Sequence, residues 1–191
     1  LDVGCGSGWF ADRCAAAGAA VWATDLSFRG VRDARNRFRE AGCFQVGDVY
    51  NLPYADGCFD FVLLSEVLEH LEDIDRAVGE VGRVLRARGR ILVSVPNREK
   101  IIQHLCIHCN RFTPANAHLH SFDEASLSAR LRASGFTQQE RIFLNNKLLE
   151  LVRFPARSAW LPHRCWQLVD RVFNAATKKP GFLCVMAEKP E

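Results

Sequence analysis

The chain begins "LDVGCGSGWF", and this stretch limits the fold more than any other. Asp2, Gly4, Gly6 and Gly8 form the kind of glycine-rich turn that ends a buried strand and opens a helix. Glycines here let the backbone adopt conformations closed to other residues and approach a ligand closely. A strand leading into such a turn normally carries several apolar residues, and here only Leu1 and Val3 flank Asp2. With no initiating Met, the expectation is a chain whose first strand is truncated and whose upstream part is missing.

Downstream, strands and helices alternate. Residues 9–17 read as a helix stopped by Gly18, and "AVWATD" as a short buried strand ending at Asp25. Ser27 caps a helix with Val31, Ala34, Phe38 and Ala41 on one face, closed by Gly42. "CFQVGD" is a third strand ending near Asp48, and "FDFVLLS" a fourth, apolar enough to be covered on both faces. Ile74, Val78, Val81 and Leu85 mark the next helix, "RILVSVPN" a fifth strand, and 98–121 an irregular stretch. Asp123 caps a helix holding Leu127 and Leu131, and "FTQQERIFL" and "FLCVMAEK" supply the last two strands. Repeated strand–helix units predict an α/β fold: a Rossmann-like, doubly wound, mostly parallel sheet with helices on both faces. Its ligands should sit at the carboxyl ends of the strands. Residues 1–191 read as a single domain with a helical insertion at about 145–181 before the last strand.

Within that insertion Leu161, Cys165, Leu168, Val169, Val172, Phe173 and Ala176 form an apolar stripe, with Arg164, Asp170, Arg171 and Asn174 opposite. Such a stripe is expected to pack onto the domain, with a lid, a dimer face or membrane-surface contact as alternatives. "KLLELVRFPARSAW", just before it, reads as a shorter helix.

Composition narrows the class. Hydrophobic residues make up 48% and charged residues 25% of 191, as in a soluble globular protein. The apolar run 14–23 is too short to span a bilayer. Eight scattered cysteines suggest reduced, buried thiols of a cytoplasmic protein rather than a disulfide framework. The net charge of +3 does not argue for nucleic acid, and the five arginines from Arg29 to Arg39 read as a solvated helix face. Oligomeric state is not legible.

Three ligands use such a glycine loop. A phosphate-cradling P-loop requires a following Lys, and none occurs before Lys100. A dinucleotide fingerprint requires Gly or Ala where this chain has Trp9. S-adenosylmethionine remains, and the acidic residues favour it. Asp25, ending the second strand, can accept both ribose hydroxyls. Asp48 can accept the adenine amino group while the Val49 amide meets a ring nitrogen, and Asp2 lies within reach of the methionine ammonium.

The stretches "LDVGCGSG", "VWATDLS", "GDVYNLPYADGCFDFVLLSEVLEHLED", "GRILVSVPN" and "HLHSFDEASLSARLRASGF" resemble the class I S-adenosylmethionine-dependent methyltransferases. They are most similar to the type 11 subgroup that includes the ubiquinone-biosynthesis O-methyltransferases. The resemblance covers residues 1–144 and implies a seven-stranded sheet of order 3-2-1-4-5-7-6 with the seventh strand antiparallel. It implies cofactor contacts from Asp2, Gly4, Cys5, Gly6, Gly8, Asp25, Leu26, Asp48, Val49 and Ser65.

A second constellation, "SEVLEHLED", comes after the fourth strand. If the segment makes one helical turn, Glu66, Glu69 and His70 share a face. His70 is the first candidate base for the methyl acceptor, with His118 and His120 behind it. Glu-x-x-Glu-His with a later His also resembles the divalent-metal site of small-RNA 2′-O-methyltransferases and some ubiquinone O-methyltransferases. The resemblance implies Glu66, Glu69, His70 and His118 as ligands for Mn²⁺, Fe²⁺ or Zn²⁺. Cys106 and Cys109, flanked by His104, His108, His118 and His120, form an alternative zinc inventory. The expected function is methyl transfer from S-adenosylmethionine to a small-molecule acceptor at oxygen. An RNA methyltransferase and a non-catalytic cofactor-binding module are the rivals.

Overall fold

A computed structural model describes residues 1–158 and 160–191; Ala159, which falls in the segment read as a shorter helix, lies outside the described residues. In chain order the elements are β1 (Asp2–Val3), α1 (Trp9–Ala16), β2 (Trp22–Asp25), α2 (Phe28–Arg37), β3 (Cys43–Val46) and β4 (Phe59–Ser65). A 3-10 turn (Leu68–His70) leads into α3 (Ile74–Val84) and β5 (Leu85–Pro96). Then come β6 (Gln103–Leu105), β7 (Phe112–Pro114), α4 (Glu124–Ala133) and β8 (Thr137–Asn146). The chain closes with α5 (Lys147–Leu151), α6 (Phe154–Arg157), α7 (His163–Thr177) and β9 (Pro180–Glu188).

Seven strands form one sheet in the order β3-β2-β1-β4-β5-β9-β8. Numbered within that sheet, this is the expected 3-2-1-4-5-7-6. β1 pairs in parallel on both sides, Asp2 standing opposite Ala23 and Leu63. β9 is antiparallel to both neighbours, with Val185 opposite Val93 on β5 and Arg141 on β8.

Strand alternation separates two cores. Thr24 bonds Tyr54 through its hydroxyl at 2.7 Å on the side of the larger core, where Val62, Leu64, Ile91, Val93 and Val185 meet α3 and α4. Its neighbour Ala23 belongs to the smaller core with Ala11 of α1, Val31 and Ala34 of α2, and Phe44. Ile74, Ala77, Val78, Val81 and Val84 of α3 are all buried, and each Ile or Val there contributes roughly 1.5–3 kcal/mol. Asp73 caps that helix by accepting from the Arg76 amide at 3.0 Å.

Several boundaries differ from expectation. α2 ends at Arg37, and Phe38 and Ala41 reach the smaller core from a turn instead. β3 ends at Val46: the Gly47 amide makes the last bond toward β2, to Asp25 O at 3.1 Å, and Asp48 starts a separate turn. Leu85 opens β5 rather than closing the helix, its side chain entering the same core from extended backbone. Residues 98–121 are not wholly irregular, because β6 and β7 pair as a hairpin. The thiols also depart from expectation: all eight are free, yet only Cys5 is buried. The five arginines from Arg29 to Arg39 are exposed.

The largest correction concerns α7. Its apolar stripe does not pack onto the sheet: Leu168 and Val172 are 64% and 56% exposed, whereas Asp170 is buried. Among the described residues no helix is long and apolar enough to cross a membrane.

Candidate functional site

The glycine loop is held by backbone bonds to β2. The amides of Gly4 and Cys5 donate to Thr24 O at 2.7 and 3.1 Å, and that of Gly8 to Cys5 O at 2.8 Å. Gly4 has φ +73°, and a Cβ there would lie 2.4 Å from Val67 Cγ2. Gly6 has φ +48° and nothing within 4 Å of a Cβ, so its outer side opens onto free space. Asp25 ties loop to helix: Oδ2 accepts from the Gly6 amide at 2.9 Å and Oδ1 from the Ser27 amide at 2.8 Å.

Asp2 is only 5% exposed, and its Oδ2 has no hydrogen-bond partner within the chain. Burial pushes its carboxyl up to about 6, with the nearby Asp25 adding to the rise. An orphaned buried carboxylate oxygen beside an open glycine suits an ammonium-bearing ligand. At the ends of the neighbouring strands, Leu26 is exposed and Val49 buried. Asp48 Oδ1 accepts from the Tyr50 amide at 2.9 Å, leaving its other oxygen for a ligand. Ser65 closes β4 with its hydroxyl 3.4 Å from that of Ser94. The sequence-predicted cofactor residues therefore gather at the carboxyl ends of β1, β2 and β4 and in the turn after β3.

Beyond β4 the chain departs from one regular helical turn. Glu66 sits at φ +55° before the 3-10 turn and accepts from the Ser94 hydroxyl. It is therefore not part of the three-residue group formed by Glu69, His70 and His118, whose ligating atoms all lie within 4.8 Å of one another. The loop from β7 folds back over the strand ends as that grouping requires. Leu119 and His120 amides donate to Glu69 O at 2.7 and 3.3 Å, and His120 Nε2 donates to Leu71 O at 2.8 Å.

Both histidines of the group are oriented from behind. His70 Nδ1 donates to Ala117 O at 3.2 Å, and His118 Nδ1 pairs with the Glu99 carboxylate, leaving Nε2 of each ring for other partners. The rings meet edge to face, centroids 4.7 Å apart. Glu69 is 1% exposed, and neither carboxylate oxygen has a partner in the chain. Burial pushes it up to about 7, with the nearby Glu66 adding to the rise. A buried carboxylate with four empty lone-pair sites, facing two oriented imidazoles, can hold a cation or exchange a proton.

The zinc alternative is dispersed. Cys106 and Cys109 lie in the turn between β6 and β7, while His118 and His120 are engaged at Glu99 and Leu71. Among the described residues the only group of three ligating atoms at metal distances is Glu69–His70–His118. Glu99 and Ser94 were not singled out in the sequence. A charged residue just beyond "RILVSVPN", at the carboxyl end of a central strand, was the available signal for Glu99. A cavity of about 460 Å³ lies alongside, lined by Ser65, Glu66, Ser94, Phe182 and Trp166 among others.

Comparison with known proteins agrees with this geometry. The family described as "Methyltransferase domain" matches residues 1–93. A malonyl-[acyl-carrier protein] O-methyltransferase of Erwinia pyrifoliae is 32% identical over 141 residues, covering 72% of this chain and 53% of that protein. A probable S-adenosylmethionine-dependent methyltransferase of Mycobacterium tuberculosis is 34% identical, covering 71% of this chain and 47% of its own length. The chain thus spans about half the length of these curated relatives. Among solved structures, an S-adenosylmethionine-dependent methyltransferase from Mesorhizobium loti superposes with a TM-score of 0.71 at 19% identity, over 98% of this chain and 89% of that one. That likeness carries the fold, and the sequence matches carry the family: the chain belongs to the class I S-adenosylmethionine-dependent methyltransferases, of the type 11 kind.

Proposed function

We propose that this protein methylates a hydroxyl oxygen of a small-molecule acceptor, using S-adenosylmethionine. The observation that carries the reading is the buried, unpartnered Glu69 carboxylate grouped with His70 and His118, one strand over from the glycine loop. An O-methyltransferase among the relatives supports oxygen as the target.

S-adenosylmethionine, when bound, supplies an electrophilic methyl group on a sulfonium centre. The residues present fit it: Asp2 offers its free oxygen to the ammonium and Gly6 opens the loop. Asp25 would accept from the ribose hydroxyls alongside the Gly6 and Ser27 amides, and Asp48 and the Val49 amide would read the adenine. Cys5, Gly4, Gly8, Leu26 and Ser65 line the approach. These groups align the donor, which is most of what a direct displacement requires. His70 and His118 serve the acceptor side: with Nδ1 of each ring engaged, Nε2 is the nitrogen left to take the hydroxyl proton.

Glu69, His70 and His118 also fit a divalent cation. One carboxylate and two imidazoles suit Mn²⁺, Fe²⁺ or Zn²⁺ better than Mg²⁺, and the carbonyl and carboxylate behind the rings are the supports such ligands use. A metal held there lowers the pKa of a bound hydroxyl. Glu66, engaged with Ser94, is left outside the ligand set.

The test is transfer of a labelled methyl group to a metabolite pool and to RNA, with and without EDTA. The expected result is metabolite labelling that EDTA and Glu69→Ala abolish while cofactor binding persists. Labelled RNA would establish the rival enzyme, and binding without transfer to either pool would establish a cofactor-binding module. Full turnover in EDTA would end the metal assignment and leave His70 and His118 as acid–base groups.

A further inference from the structure

α7 is mounted with Asp170 and Asn174 inward, while Arg164 and Arg171 are exposed on its flank. Asp170, 2% exposed, accepts from the amides of Asn145 at 3.0 Å and Asn146 at 2.7 Å and from Asn174 Nδ2 at 3.0 Å. Asn146 Nδ2 in turn donates to Asn174 and Thr177, each at 2.8 Å. These bonds fix the rotation of the helix about its axis. At about 100° per residue, Leu168, Val172 and Ala176 then fall on the side away from Asp170. Leu168 is 64% and Val172 56% exposed. In the chain just before α7, Leu151 is 78% and Trp160 79% exposed.

Charge on this segment is one-sided. Lys147, Arg153, Arg157, Arg164, Arg171, Lys178 and Lys179 oppose only Glu150 and the buried Asp170. Exposed apolar side chains bordered by cations match the boundary between acyl chains and anionic headgroups, where aliphatic residues and Trp enter and Arg and Lys meet phosphate. Pairing with a second copy about a two-fold axis would set this cationic surface against itself.

We infer that the outward face of α7 and the adjoining α5–α6 segment form a docking surface for an anionic lipid membrane. The surface is peripheral: it lies on the bilayer and does not enter its core. It requires no particular methyl acceptor, so it stands apart from the proposed activity.

The experiment is co-sedimentation of the full chain with vesicles of phosphatidylcholine alone and of phosphatidylcholine with about a quarter phosphatidylglycerol. Binding is expected to be about tenfold or more stronger to the anionic vesicles, and to fall as salt rises. Leu168→Glu with Val172→Glu should remove it by loss of apolar contact, and Arg164→Glu with Arg171→Glu by loss of charge. All four side chains are exposed, so unchanged melting curves are expected to show intact folds. Equal binding to both vesicles, or none to either, overturns the proposal. So does a concentration-dependent dimer dissolved by the Leu168→Glu, Val172→Glu pair, or capture by poly-glutamate without capture by vesicles.

Discussion

Gly4 and Gly6 stand two positions apart in one loop, yet a methyl group added to each would be felt in different places. At Gly4 it would strike Val67, which leads into the turn bearing Glu69 and His70. Gly4→Ala should therefore cost roughly 2–4 kcal/mol of stability in urea denaturation, from left-handed strain plus overpacking. At Gly6 it would meet only open space, so Gly6→Ala should cost about 1 kcal/mol of stability. Its larger effect should appear in calorimetry, as weakened S-adenosylmethionine binding. Asp25→Ala should lower that affinity by about tenfold or more, the loss of at least one charge-assisted bond. Two buried carboxyls set a pH dependence. Asp2 is raised from 3.8 to about 6 and Glu69 from 4.5 to about 7, so the folded state holds more protons than the unfolded state between those limits. Stability from these groups is present at low pH and is lost as pH rises through about 6 to 7. Melting temperature should fall across that window, and Glu69→Gln should flatten the fall. Cofactor affinity should move the other way, rising as Asp2 ionises. Mn²⁺ should raise the melting temperature of the wild type at pH above about 7 and leave Glu69→Gln unchanged.

Elements show where a pattern of residue types informs and where it stops. Glycine loop, acidic strand ends and alternating strand–helix units were legible because each is set by contacts between near neighbours. The stripe on α7 was legible too, but periodicity reports that a helix has two faces, not which one the fold buries. That choice rests on Asn145 and Asn146, whose amides need an acceptor where β8 turns into α5. Asp170→Ala should strand both donors and cost about 3 kcal/mol, measured by denaturation or as faster hydrogen exchange in α7. The β6–β7 hairpin went unforeseen because Gln103, His104 and Leu105 are all exposed, so no burial imprinted a period of two. In the candidate site, Glu69 and His70 were legible as adjacent ligands. Glu66 leaves the expected helical turn through its left-handed backbone and bonds Ser94, and Glu99 was missed because its partner lies 19 residues away.

For the whole molecule, cofactor and fold are linked through the loops that leave the carboxyl ends of β1, β2 and β3. Saturation with S-adenosylhomocysteine at about a hundred times its Kd should add ~2.7 kcal/mol of stability, or roughly 5–10 °C in Tm. NAD at the same concentration should add nothing, and an equal shift with NAD would remove the cofactor assignment. The sheet itself has an order that the ribosome must contend with. β9, the last of its strands to be translated, is not placed at the rim but wedged between β5 and β8. While the stretch from α5 through α7 emerges from the exit tunnel, β5 presents a bare edge and β8 has no neighbour to join. The nascent chain is thus most prone to aggregation in the interval before β9 emerges, when the other six strands of the sheet already exist. A premature stop codon or frameshift after Asn146 would strand β8 and leave that edge open for good. Damage within β9 would then be as disabling as damage to the glycine loop before α1.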